Sequence, residues 1–501
     1  MILAVDIGTS SVKAGLFDRA GACLALDSRP VEPLASRDPV AHEVNAASWI
    51  DAFAALVPVL ISSAGGAVRG GAGIAAGITA SRGTPEVVEC VVVSGNGPTL
   101  VPVDASGDPL APAITWMDRR AVEEAVLAGQ AAGRFLDPTY NLPKALWFKR
   151  HRPDIYERTA HFSSCPEYLC GRLTGEWRSF LPAEGFQPII WDADSISALG
   201  LDGAKFPPFI KLGEIVGTLT RSAADTFGLP EGIPVVSGGP DFVVSLIGTA
   251  TTKPGRACDR AGTSEGINLC HAGSFPDDSR LLLMPHVIEP YLNISGVIST
   301  SGKAVSWFRK ASGDSCEDYE GFFGEICQVG PGAGHLLFLP YLSGERAPIW
   351  DPDARGAFIG LTLNHGRSEM GRAVVESTAF AMRDVIETME SLGGRVSELR
   401  VTGNPARNPV WNQIKADITG RPLIVSRFPH AELMGDLCLA LAALGEYSSP
   451  ADAAENLVAM ERVHEPDPAL RALYDEMFGL YRECYRTLKP VFADLSKIDK
   501  E

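Results

Sequence analysis

The chain opens with an apolar run, Ile2 to Val5, which breaks at "DIGTSS" and resumes as "VKAGLF". A short continuous apolar run bounded by a turn signal suits a strand covered on both faces, so residues 1–18 predict strand, tight turn and strand. The pattern returns at "CDRAGTSEGINLC" (258–270), where a short strand and a Gly-Thr-Ser turn again precede an apolar run. A different period governs "RSEMGRAVVESTAFAMRDVIETMESLGG", with apolar residues at 370, 373, 374, 381, 382, 385 and 389. That is helical spacing, and Gly393-Gly394 supplies the stop. "NPVWNQIKADITGRP" predicts a second helix, with Asn408 as N-cap, Pro409 in its first turn, and Gly420 and Pro422 beyond its end. "SGGPDFVVS" (237–245) places Asp241 at the head of a helix over 242–249. Lys144 and Trp147 stand at helical spacing, which reads as packing. The stretch "SSAGGAVRGGAGIAAG" (62–77) reads as a mobile loop with a helix edge, and no apolar segment is expected to reach the roughly 18 to 20 residues that cross a bilayer.

Composition narrows the class. At 501 residues, 46% of them hydrophobic, the chain exceeds one ordinary core, and two or three domains are expected. The formal net charge of −17 argues against nucleic acid and anionic membranes as partners. The N-terminus lacks the basic n-region of a signal peptide. The ten cysteines form no CxxC pair, and Cys165 and Cys170 read as buried thiols. A cytoplasmic protein with reduced cysteines is expected.

The two turns carry the candidate chemistry. Gly8 allows close approach of backbone to a ligand, Thr9 and Ser10 add hydroxyls, and successive amides there can form an anion nest. Asp6, at the strand end, could hold magnesium through water. A plain hairpin turn needs the same residue types, so the first turn alone leaves both readings open. Gly262, Thr263 and Ser264 repeat the arrangement some 250 residues on, as two related halves facing one nucleotide would. Neither a GxxxxGK[ST] loop nor a helix-opening GxGxxG occurs. Asp241 suits an N-cap, and it equally suits a general base, because a helix N-terminus keeps a carboxylate ionised and fixed in direction.

Longer motifs add a resemblance. "TYNLPKALWFKRHRP" (139–153), "LPYLSGERAPIWDPDARGAFIGLTLNH" (339–365) running into "RAVVESTAFAMRD", and "PAITWMDRRA" (112–121) are similar to the signatures of the FGGY family of carbohydrate kinases, most closely its xylulose-kinase-like members. The resemblance implies an α/β fold of two ribonuclease-H-like (actin/hexokinase-type ATPase) domains with a cleft between them. Residues 1–248 would form the N-terminal, sugar-side domain, 249–490 the C-terminal domain and 491–501 a tail, with the crossing at "TATTKPGRAC" (249–258). It implies a phosphotransferase that moves the γ-phosphoryl of ATP, with Mg²⁺, to a hydroxyl of a pentulose-sized sugar or polyol. Asp241 matches the family's base and Lys13 a basic residue that reaches the phosphates. Gly403, Asn404 and Asn408 match the adenosine loop. Asn96, Trp116, Asp118 and Phe242 join Asp241 on the sugar side, with a core position the alternative for Trp116. Dimers are common among related kinases, and the sequence leaves a homodimer open.

Three positions depart from the family pattern. Phe242 follows the base where Asn or Gln is usual, Asn96-Gly97-Pro98 replaces a Met-His segment, and Gly403-Asn404-Pro405 replaces a run of glycines. These departures keep a catalytically weakened sugar-binding regulator in view; an actin-like ATPase without a sugar substrate is a third reading, against which the two signatures and "TWMDRR" argue.

Overall fold

The computed structural model describes residues 1–69, 87–313 and 319–498; residues 70–77 of the expected loop lie outside them. The described chain forms two compact units, Met1–Gly248 with Ala431–Val458, and Thr249–His430 with Ala459–Glu501. The expected second domain, 249–490, is therefore interrupted: residues 431–458 belong to the first unit. Nor do residues from 491 begin a separate tail, because one helix runs from Arg471 to Ile498.

In the first unit, β1 (Ile2–Ile7) and β2 (Ser11–Phe17) form the expected hairpin, and β3 (Cys23–Pro30) extends it antiparallel. Every residue of β1 is buried, as a run apolar on both faces requires. Helix α1 (Ala47–Arg69) packs Trp49, Phe53, Leu56 and Leu60 against this sheet. Contrary to the sequence expectation, its Ala47–Gly65 stretch is long and apolar enough to span a membrane by length and composition; its buried face instead forms core. Strand β4 (Cys90–Gly95) runs parallel to β1. The signature helix α2 (Asn141–His151) and α3 (Cys165–Thr174) follow. Strand β5 (Ile215–Thr218) then leads to β6 (Pro234–Pro240), parallel to β4. The sheet order is β5-β6-β4-β1-β2-β3.

The second unit repeats this plan. Strand β7 (Arg256–Ala261) pairs antiparallel with β8 (Glu265–His271). After β9 (Leu282–Pro285), β10 (Leu292–Ile298) lies antiparallel on the other side of β8. Strand β11 (Glu398–Thr402) is parallel to β7, and β12 (Leu423–Ser426) to β11. Strand β13 (Met460–His464) closes the order β9-β10-β8-β7-β11-β12-β13. In both sheets a three-strand meander is followed by two strands parallel to its first. The two Gly-Thr-Ser turns occupy the same place in the two sheets.

Candidate active site

Helix α4 (Asp241–Gly248) follows β6 directly. Asp241 is its first residue and is half-buried, and its Oδ1 accepts the Phe242 amide at 2.6 Å. Helix α8 (Ala431–Ala443), from the C-terminal stretch that joins this unit, crosses α4 closely. A Cβ on Gly248 would collide with the Ala431 carbonyl, and one on Gly435 with the Val244 carbonyl. Backbone contact at these glycines sets Glu432 and Asp436 beside the acids already singled out. The sequence reading missed both. Their signal was present as two acids and a glycine, "ELMGD", opening an otherwise apolar helix.

Asp6 is 5% exposed at the end of β1. Burial, then the negative charge of Glu432 and of Asp241, raises its pKa to about 8, against the pull of Lys13. Lys13 stands opposite on β2 with Nζ 3.9 Å from Asp6 Oδ2. The other oxygen, Oδ1, is buried without a hydrogen-bond partner. Asp436 is also pushed up by burial and by Asp6 and Glu432, although Ser94 donates to its Oδ2 at 2.7 Å. Asp436 Oδ1 is likewise buried without a partner, and this crowd of carboxylates around two orphaned oxygens is a place where a hydrated cation would relieve repulsion. Gly8 donates its amide to Ser11 O at 2.9 Å, closing the turn that exposes Ser10.

The sugar-side candidates separate. Trp116 is 43% exposed rather than core, and its Nε1 donates to Thr9 Oγ1 at 2.9 Å, tying it to the first turn. Asp118 is not available as a hydroxyl acceptor in the expected way. It is 1% exposed, accepts the His42 amide at 2.7 Å, and holds Arg120 through both oxygens. Arg120 in turn pairs with Glu43 and lies over the Trp147 ring. Asn96 likewise turns inward: its Nδ2 donates to Ile7 O at 2.9 Å and its Oδ1 accepts Thr99 Oγ1 at 2.6 Å. Both residues shape the site from below because their polar atoms satisfy buried backbone. Lys144 is buried too, and its Nζ donates to Pro98 O at 2.7 Å and Thr115 O at 2.8 Å. It thereby fastens the 96–98 loop to the Trp116 segment. Phe242 is half-buried next to Asp241.

In the second unit, the Gly262–Ser264 turn is held by α5 (Gly302–Ala311), whose first amides reach it: Gly302 donates to Gly262 O at 3.0 Å and Lys303 to Thr263 O at 3.1 Å. Beneath the turn, Lys415 Nζ sits 2.8 Å from Asp259 Oδ2 and 2.6 Å from Glu265 Oε1, all three buried. Glu265 also accepts from Ser301. Against the cost of burial, Lys415 and its neighbours hold Glu265 below its usual pKa, whereas burial and Glu265 push Asp259 up. This network, too, was not read from the sequence. Gly403 follows β11 with φ +95°, where a Cβ would strike Ala261 O. The long helix α6 (Arg367–Ser391) packs its apolar positions as its period predicts, but its charges do not form the solvated face such a period implies, since Arg372, Glu376, Arg383 and Asp384 are buried as well. Asn408 caps α7 (Pro409–Thr419) by accepting the Trp411 amide at 3.0 Å.

Two sheets of one topology, each with a phosphate-type turn after its first strand, define a phosphotransferase of the actin/hexokinase type. Residues 1–248 match the N-terminal domain and 260–444 the C-terminal domain of the FGGY family of carbohydrate kinases. The chain is similar to the xylulose kinase of Staphylococcus epidermidis, at 28% identity with 99% of each chain covered. It is 26% identical to the gluconokinase of Bacillus subtilis, covering 99% of this chain and 96% of the relative. The crystal structure of the xylulose kinase from Rhodospirillum rubrum superposes with a TM-score of 0.83 at 26% identity, over 98% of this chain and 99% of that one. The chain belongs to the FGGY family of carbohydrate kinases. It is a sugar kinase, with ATP as phosphoryl donor and an alcohol as acceptor.

Proposed function

We propose that the acceptor is a ketose or polyol of about pentose size, and that Asp241 is the general base. The observation that carries this reading is the position of Asp241, half-buried at the first residue of α4 within the acid cluster of Asp6 and Glu432. Asp241 takes the proton of a sugar hydroxyl as that oxygen attacks the γ-phosphorus. The bond from γ-phosphorus to the bridging oxygen breaks, and ADP leaves. Catalysis of this kind is mostly positioning and charge stabilisation. The amides and hydroxyls of Gly8, Thr9 and Ser10, with Lys13, take phosphate oxygens, as do Gly262, Thr263 and Ser264. Adenosine lies along Gly403, Asn404 and Asn408. The exposed face of Trp116, anchored through Thr9, covers the apolar side of the sugar.

Asp6 fits a magnesium ion held through water, because its Oδ1 is buried and unpartnered. Magnesium, when bound, neutralises charge on the transferring phosphates. The xylulose kinases among the relatives favour a pentulose, and the gluconokinase keeps a sugar acid in the test set. Full-length relatives that are all sugar kinases do not favour a regulator or a sugar-independent ATPase. The test is magnesium-dependent ADP formation across ketoses, aldoses, aldonates and short polyols. One compound should stimulate turnover at least tenfold; ATP turnover indifferent to every compound would reject the reading.

A further inference from the structure

A cavity of about 460 Å³ in the second unit lies beside the start of α7 and against β12 and β13. Arg407, Arg427 and Arg462 line it, all exposed. Among the described residues none of the three guanidinium groups makes a hydrogen bond or ion pair. In a chain with 61 acidic and 44 basic residues, a surface arginine finds a carboxylate readily, as Arg19, Arg280 and Arg471 do. Three unpaired cations on one concave wall repel one another, and the single acid of that wall, Glu461, cannot balance them.

Two buried polar atoms in the same wall also want a partner. His464 is 7% exposed, and its Nε2 has no hydrogen-bond partner; nor has Ser426 Oγ. Gln413 fixes the histidine tautomer. Its Nε2 donates to Asp417 and to Glu465 O, so its Oε1, 3.3 Å from His464 Nδ1, accepts the ring proton. The ring's Nε2 is then left for a group in the cavity. Planar guanidinium forks suit tetrahedral oxyanions, and a hydroxyl and an imidazole complete such a set.

We propose that this cavity binds a small polyvalent oxyanion of the phosphomonoester or pyrophosphate type, as an effector site separate from the nucleotide. It shares Ala406 and Arg407 with the back of the loop assigned to adenosine, but none of Gly262, Thr263, Ser264, Gly403 or Asn408 lines it. The proposal goes beyond the kinase reading and does not depend on which sugar is phosphorylated.

The test titrates inorganic pyrophosphate into the full-length, magnesium-free protein at fixed ionic strength. Calorimetry gives the affinity, and ring-¹⁵N histidine NMR reports His464, assigned with His464→Gln. Saturable binding is expected, with a shift of the His464 ring resonances. An Arg427→Gln/Arg462→Gln variant, with its melting temperature unchanged because both side chains are exposed, should bind at least about tenfold more weakly. Saturating ADP should leave the affinity unaltered. No saturable binding, a His464 ring that stays still, equal affinity in the variant, or loss of the site to ADP would each overturn the proposal.

Discussion

Lys144 belongs to a family signature, and its helical spacing with Trp147 reads as packing; the structure gives it a more specific task. Its amine closes over two backbone carbonyls of the sugar-side loops, and burial lowers its pKa to about 7. The folded lysine thus sheds its proton near pH 7 while the unfolded one keeps it to about 10.5. In that window the unfolded chain binds more protons, so stability rises with pH. Between pH 7.5 and 9.5 wild type should gain up to about 2 kcal/mol relative to Lys144→Met in urea unfolding. Equal pH profiles would show that Lys144 stays charged. Asn96 and Asp118 teach the complementary lesson. Their types suit a sugar, and only burial and partners show that their polar atoms are spent on Ile7, Thr99, His42 and Arg120. Residue type was legible in the sequence; the direction of the side chain, set by contacts far along the chain, was not.

Elements read from local pattern stand close to expectation. The helix expected at 242–249 runs Asp241–Gly248, and both hairpins turn at their Gly-Thr-Ser residues. What pattern could not give was the crossing of α4 with α8, because 182 intervening residues separate Gly248 from Ala431. That crossing depends on missing side chains. Gly435→Ala should push α8 from α4, lower stability by about 1–3 kcal/mol and reduce turnover at least tenfold by displacing Asp241 and Glu432. A variant with wild-type kcat and an unchanged urea midpoint would show the contact to be slack. The Lys415 network makes a parallel case beneath the second turn. Lys415→Met strands Asp259 and Glu265 in the core and should cost about 3–5 kcal/mol, read as a lower urea midpoint; an unchanged midpoint would mean the two acids share a proton and need no cation.

At the scale of the whole molecule, the repeated strand order explains why one motif, found twice in the sequence, was enough to suggest two related halves. The division of the chain was harder to read, since residues 431–458 complete the first unit from a distance. Helix α8 covers β1, β4 and β6, so residues 1–248 expressed alone should lack a cooperative unfolding transition, and fusing 431–458 through a linker should restore it. Cooperative unfolding of 1–248 by itself would show α8 to be dispensable. The central claim concerns Asp241, and Asp241→Asn tests it most directly. Asn can keep the bond from the Phe242 amide and costs little as a helix-start residue, so the melting temperature should hold. Sugar-stimulated ADP formation should fall by about 10²- to 10⁴-fold, as the loss of a general base requires. A variant that turns over at the wild-type rate with its stability intact would contradict the account.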